Sequence, residues 1–416
     1  MAVAEEIETS PLPSSSGRVS RIRERLGLYG LFAVLAAFTL LTLDGDDLAP
    51  RMISAVFLVL AAAFLSVPFT QPLPLSVPSV CLLVMTLWGV LQTLLSSQKI
   101  VADGWSGVLF WFTAAMLSLV ATQLFSSLRA AALFRRWFMF FAAGVCILEL
   151  LEQASHTDHY YWAIASKHHA VFGPFSYWNN FAQFVELSLP VTLWIGLNKR
   201  RSSPVPYLVL AALQIAAVVA SGSRAGTALV LIELAAVVIL AYRKRRDRRL
   251  LIGAALAFGL SFITIYAAGS SVLLKKFQEH DQLAVRRPIN QSSLEMIRER
   301  PLFGWGLETY VPVYRMFAHY DDGTWVNRAH NDWLQWAAEG GIPFACLMLI
   351  VFGWSIRPAI ASIWGVGLIA ICLHAIVDYP FARLGVCGWY FALLPMFSGE
   401  IAERRKLPEA PHKSEG

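Results

Sequence analysis

The chain has 416 residues, of which 56% are hydrophobic and only 15% charged, against about 25% charged in an ordinary soluble domain. A soluble core of this size needs a charged surface that this chain lacks, and the mean hydropathy of +0.55 points to lipid as the solvent. The formal net charge of +6 resides in short basic clusters beside apolar runs, which mark topology rather than a nucleic-acid surface. Cys81, Cys146, Cys346, Cys372 and Cys387 all fall in apolar runs with no CxxC pair, so they read as small buried hydrophobes rather than disulfide or thiolate-metal partners.

Residues 1–26 are polar, Ser/Pro-rich and then basic, and read as a cytoplasmic tail, disordered in part and without a cleavable signal. Runs long enough to cross a bilayer follow near 27–44, 52–69, 77–95, 105–125, 134–152, 179–197, 205–221, 225–242, 249–268, 333–355, 358–377 and 380–399. The expected fold is therefore an all-α polytopic membrane protein of about twelve transmembrane helices. Helices one to nine occupy 27–268, a long periplasmic loop 269–332, helices ten to twelve 333–400, and a cytoplasmic tail 401–416. With both ends inside, 21 of the 34 Lys and Arg fall in inner segments, as the positive-inside rule requires. NKRR at 198–201 and the basic run at 242–249 are the strongest inside markers.

Two outer segments exceed a connector's length. The first, 153–178, carries His156, His159, His168 and His169, but HxxH spacing with Asp158 as the only near acid is a poor metal set, and no metal is expected. In the second, QSSLEMIRER (291–300) predicts a short helix with Leu294 and Ile297 on one face, and YVPVYRMFAHY (310–320) predicts another. PLFGWG (301–306) between them reads as a glycine turn.

Three constellations can carry chemistry. SGSRAG (221–226) joins two spans with almost no loop, which sets Arg224 at headgroup height. An arginine there can fork onto phosphate oxygens or simply snorkel. Arg286 and Arg287, just before Pro288, can hold a diphosphate or remain a solvated pair. In RAHNDWLQ (328–335), Asn331 is the expected N-cap, Asp332 suits the first turn, and His330 stands just before the helix. There the helix dipole disfavours imidazolium, leaving a ring able to accept a proton. A histidine bonded to backbone fits the same position. Asp378 and His374 can pair with each other or with Arg383, and Glu186 and Glu233 lie inside expected spans.

In order, these stretches resemble the O-antigen ligase/polymerase superfamily of bacterial inner-membrane glycan transferases. GPFSYWNNFAQFVEL (173–187) is similar to its glycine-then-asparagine entry into a span, and SGSRAG to its Ser-x-Ser-Arg-Gly turn. Arg286 followed by PLFGWG resembles its Arg…Pro-Leu-x-Gly-x-Gly element, and AHNDWLQWAAEGGIP (329–343) its His-Asn-x-x-Leu-Gln…Glu-x-Gly segment. The resemblance covers roughly 170–400. It departs at Asn290, where an aromatic is usual, and at Asn179-Asn180, which lack an intervening proline.

The resemblance implies a GT-C-like architecture in the bacterial inner membrane and metal-independent, cofactor-free transfer of a glycan from undecaprenyl diphosphate on the periplasmic face. Arg224 and Arg286 would hold the diphosphate, and His330 would position or deprotonate the acceptor hydroxyl. Arg287, Arg328, Asn331, Asp332, Asn180 and Ser223 would bind substrate around them. The implied partners are the lipid-linked glycan donor, a glycan or lipid A–core acceptor, and membrane lipids, with no nucleic acid. A ligase is the first reading and an O-antigen or exopolysaccharide polymerase the alternative. A transporter would need inverted repeats and broken helices at mid-membrane, and a scaffold would leave Arg224, the arginine pair and His330 dispensable.

Overall fold

The computed structural model describes residues 15–43, 48–66, 75–95, 101–198, 203–245, 255, 258–259, 282–319 and 326–406. In lipid every backbone polar group must be satisfied within its segment, so the long apolar runs fold as helices. They are α1 (Ser15–Leu41), α2 (Leu48–Ser66), α3 (Val77–Leu95), α4 (Val101–Leu124), α5 (Leu128–Ala154), α6 (Trp178–Asn198), α7 (Val205–Ser221) and α8 (Arg224–Arg245). The loop region supplies α9 (Gln282–Glu299) and α10 (Tyr310–Phe317), and the C-terminal part α11 (Asp332–Ser362), α12 (Val366–His374), α13 (Leu384–Leu393) and α14 (Met396–Lys406). Among the described residues, eight helices are long and apolar enough to cross a membrane. The chain is an all-α polytopic membrane protein. The expected ninth span, 249–268, lies almost wholly outside the described residues.

Two groups of helices meet at α13. α4 packs on α1, α2, α3 and α13, while α6 packs on α5, α7, α8, α12 and α13. Trp389 of α13 fills the seam, stacked on Phe138 at 4.4 Å and edge-on to Phe32 at 5.6 Å. Its indole N–H donates to Thr39 Oγ1 at 2.9 Å, so a large apolar side chain is buried without an orphaned donor. At the far end from the loop region, Arg135 reads as an awkward charge at the start of a span. It pairs with Glu400 at 2.9 Å and lies over the rings of Trp194 and Trp364 at 5.1 and 4.8 Å, which compensates its burial.

Several boundaries differ from the sequence expectation. α1 starts at Ser15, so the second half of the expected tail is helical. Arg357, expected in a loop, lies within the 31-residue α11, and the chain breaks instead at 363–365, where Ile363 has φ +69. Arg286, Arg287 and Pro288 lie inside the 18-residue α9, not in a loop before it. The buried face of α9 is Ile289, Ser293 and Met296, with Ile297 beside it and Leu294 exposed.

The turn at 301–306 is where the loop region locks onto the bundle. α11 kinks at Gly341 (φ 78, ψ 171), just before Pro343, which leaves carbonyls without their helical donors. Trp305 N donates to Ala338 O at 3.0 Å and Gly306 N to Glu339 O at 2.8 Å, while Ile342 N donates back to Pro301 O at 2.8 Å. Trp88 Nε1 of α3 takes Gly340 O at 2.8 Å. Every displaced carbonyl from 338 to 340 thus has a donor, as burial in lipid demands. Gly304 (φ +63) and Gly341 let the two backbones meet, because a Cβ at either would strike the other segment's carbonyl oxygen. The kink is closed by protein groups, not opened toward a mid-membrane substrate site.

Candidate active site

The N-terminal ends of α6, α8 and α11 and the loop after α12 gather at one end of the bundle, each fixed by local chemistry. Asn331 (φ −162) caps α11, its side-chain oxygen accepting from Leu334 N at 3.1 Å, as expected from the sequence. Ser223 caps α8 by accepting from Gly226 N at 3.1 Å. Gly226 has no room for a side chain, since a Cβ there would collide with Ala182 of α6. Asp332 ties the loop after α12 to the start of α11, with its N–H donating to Ala375 O at 2.9 Å and its Oδ2 accepting from Phe381 N at 2.9 Å.

That loop delivers Asp378, which joins the three constellations. Asp378 Oδ1 lies 3.4 Å from His330 Nδ1 and accepts from Tyr379 N at 2.9 Å. Asp378 Oδ2 lies 3.7 Å from Arg286 Nη2 and accepts from Asn179 Nδ2. Asn179 Oδ1 accepts from Ser223 Oγ at 2.6 Å, the residue immediately before Arg224. Arg286 also donates to Val377 O and, at 3.4 Å, to Tyr177 OH. A single buried carboxylate therefore ties Arg286 of α9, the histidine and the cap of the Arg224 helix into one network.

His330 is held between Asp378 and two tyrosines. Its ring lies 5.0 Å from Tyr379 and 6.5 Å from Tyr177, and those two rings stack at 5.7 Å and 3°. Its φ of +50 is a conformation non-glycine residues avoid. Here the Asn331 cap and the Asp378 contact over-determine it. The side chain remains 23% exposed while Asp378 is fully buried. Burial works to raise the Asp378 carboxyl, but His330, Arg286 and His374 hold it below the usual range, so it stays ionised. Burial, then the charge of Asp378, raises the Tyr177 and Tyr379 phenols, which stay neutral.

Not every residue singled out in the sequence joins this network. Asn180 does not: its Nδ2 donates to Gln183 Oε1 at 2.9 Å within α6, and Asn179 is the asparagine that reaches Asp378. Arg287, one position round the helix from Arg286, is exposed. Arg328 turns to Glu308 at 3.0 Å. Burial works to lower its guanidinium, but Glu308 and Glu339 raise it above its ordinary value. Asp332 is buried and engaged with the backbone of the loop that carries Asp378. Arg224 is half-buried in the first turn of α8. Asp378 pairs with neither His374 nor Arg383. His374 instead faces Glu186 at 2.7 Å, and Arg383 donates to Leu43 O at 3.0 Å and Ser176 Oγ at 3.3 Å.

Asn179, Tyr177 and Tyr379 escape a sequence reading because nothing in their local pattern distinguishes them from interfacial polar and aromatic residues. In the first outer segment, His159 and His169 both approach Asp158, at 2.6 and 3.9 Å. No group of three or more metal-capable side chains occurs among the described residues.

A charge-oriented imidazole, a locked guanidinium and a second guanidinium at a helix start are parts suited to a substrate that carries phosphate and a reacting hydroxyl. A comparison with curated proteins finds no match to the chain. Residues 207–349, which run from α7 well into α11 and carry Arg224, Arg286 and His330, match the family model described as O-antigen ligase, so over that stretch the chain is similar to the O-antigen ligases.

Proposed function

We propose that the protein transfers a glycan from a polyprenyl diphosphate, undecaprenyl diphosphate in a bacterial inner membrane, to an acceptor hydroxyl at the periplasmic face. The observation that carries this reading is Asp378, which bonds or faces Asn179, Arg286 and His330 at once. In this reading Asp378 orients the His330 ring through Nδ1 and leaves Nε2 to take the acceptor's proton. The acceptor oxygen then bonds to the anomeric carbon as the bond from that carbon to the phosphate oxygen breaks. The electron pair leaves with the polyprenyl diphosphate, whose growing charge Arg224 and Arg286 neutralise. These two arginines supply positive charge at the leaving group, so EDTA is expected to leave the reaction intact. The topology follows the basic clusters: both ends lie in the cytoplasm, and the α9–α10 region, with the starts of α6, α8 and α11, faces the periplasm.

The description of the matched family favours ligation to a separate acceptor, such as lipid A–core, over polymerisation of repeat units. The test is a transfer assay with purified protein in detergent, the host's lipid-linked oligosaccharide and EDTA. Product that forms only when lipid A–core is added establishes a ligase. A ladder of longer lipid-linked glycans without added acceptor makes it a polymerase instead. Folded protein that gives neither product refutes the transferase reading.

A further inference from the structure

Tyr177 stands inside the Asp378 network, and the transfer steps above give it no part. Its ring is fixed on two sides. It stacks on Tyr379 at 5.7 Å and 3° and leans on Trp178 at 4.6 Å. A cavity of about 500 Å³, lined in part by Tyr379, opens beside this stack and has room for sugar rings.

The hydrogen bonds around the Tyr177 hydroxyl have a forced direction. Asp378 is ionised and can only accept, so Asn179 turns its Nδ2 toward Asp378 Oδ2. That leaves Asn179 Oδ1 for the Ser223 hydroxyl at 2.6 Å. Ser223 Oγ itself accepts from Gly226 N at 3.1 Å, so its one proton goes to the amide. With the amide set in this sense, Asn179 Nδ2 also donates to Tyr177 OH at 3.2 Å. Arg286 Nη2 approaches the same oxygen at 3.4 Å, and a guanidinium can only donate. The Tyr177 oxygen is therefore the acceptor in both contacts, and its own O–H proton has no acceptor among the described residues. Burial, then the charges of Asp378 and Tyr379, raise the phenol, with Arg286 working the other way, so the proton stays on the oxygen near neutral pH. The His330 ring lies 6.5 Å from this one.

We propose that Tyr177 is a further catalytic residue, whose O–H donates a hydrogen bond to the phosphate oxygen that leaves the sugar. The inference rests on the transferase reading above. A diphosphate oxygen held by Arg286 Nη2 comes within reach of the hydroxyl 3.4 Å away. As the bond from the anomeric carbon breaks, charge grows on that oxygen and the hydrogen bond strengthens. A donor already held by two rings needs no reorganisation at that moment. The electron pair leaves with the diphosphate, the acceptor's proton goes to His330, and the phenol keeps its own proton throughout.

The test uses the full chain in detergent with lipid-linked oligosaccharide and lipid A–core, and reads kcat and both KM values. Tyr177→Phe removes the hydroxyl and keeps the ring stack. It should lower kcat by at least about tenfold with both KM values within about threefold of wild type. Fluorinated tyrosines of increasing acidity, inserted at position 177, separate a donor from a mere seat for Arg286. A phenolate cannot donate but accepts at least as well as a phenol. Turnover should therefore fall as pH rises through each analogue's lowered pKa, at progressively lower pH along the series, while wild type holds its rate. A Tyr177→Phe protein with wild-type kcat, a loss confined to donor KM, or fluorinated proteins that keep the wild-type pH profile would overturn the role of Tyr177 and leave the transferase reading standing. No transfer by wild type would bring down that reading and this inference with it.

Discussion

Two carboxylate–histidine pairs stand beside one another in this bundle, and their difference separates structure from chemistry. His374 and Glu186 meet at 2.7 Å with both side chains wholly buried. Four residues after His374, Asp378 meets His330 at 3.4 Å, and His330 stays 23% exposed. The first pair joins α12 to α6 inside the membrane and can touch nothing but protein. The second lies where α6, α8, α9 and α11 converge, next to an open cavity. On the proposed function, the same two kinds of group serve as a tie in one place and as a poised base in the other. Access and the neighbouring guanidinium make the difference.

The comparison can be broken by substitution. His330→Ala should lower the transfer rate by about 10²–10⁴, the usual worth of a general base, with helical content in detergent unchanged. Loss of Arg286 should cost about 10²–10³, the usual worth of one charge-stabilising donor at a reacting group, whereas Arg287→Ala should change the rate by less than about threefold. A similar loss from both would mean that the α9 register assigned here does not describe the working enzyme. Glu186→Gln should act on the other side of the comparison. It replaces the carboxyl partner of His374 with an amide and should reduce stability by about 1–3 kcal/mol, read as a lower thermal midpoint, while the folded fraction transfers at the wild-type rate. A selective loss of turnover in that variant would make the buried pair part of the chemistry.

The smallest expected effect is on pH. The Asp378 carboxyl is held below its ordinary value, so its contribution is complete above the unfolded carboxylate pKa of about 3.9 and is lost only as pH falls through the lowered folded value. Hydrogen-exchange protection of residues 375–381, corrected for the intrinsic pH dependence of amide exchange, should therefore be flat between about pH 5 and 8. Loosening of that segment within the window would show that Asp378 is not the tie described.

Much of this arrangement is legible in the sequence, for reasons that also mark where legibility stops. Apolar run length shows most spans because lipid leaves the backbone no alternative to a helix. Asn331 as a cap and the glycine turn at 301–306 follow from local backbone chemistry. Choices between neighbours do not. Adjacent helix positions differ by about 100° in direction, so Asn179 against Asn180 and Arg286 against Arg287 are settled only by packing. Proline disfavours a helix interior, but burial of Ile289 and Met296 carries α9 through Pro288, a tertiary override of local propensity. Asp378 is the hardest to read, because its partners come from α6, α9 and the start of α11, and no spacing along the chain encodes that meeting. The long α11 hides in the same way: Arg357 looks like a loop marker, yet an exposed arginine near a helix end can extend toward water without ending the helix.

The proposed transfer divides the roles: arginines for the donor diphosphate and His330 for the acceptor proton. Donor affinity and transfer rate measured together in the His330→Ala and Arg286→Ala variants test it most directly. His330→Ala is predicted to bind lipid-linked donor as wild type does and to fail in transfer, while Arg286→Ala is predicted to lose both donor affinity and transfer. A His330→Ala protein that transfers at the wild-type rate, or an Arg286→Ala protein whose donor affinity and turnover are both unchanged, would contradict it.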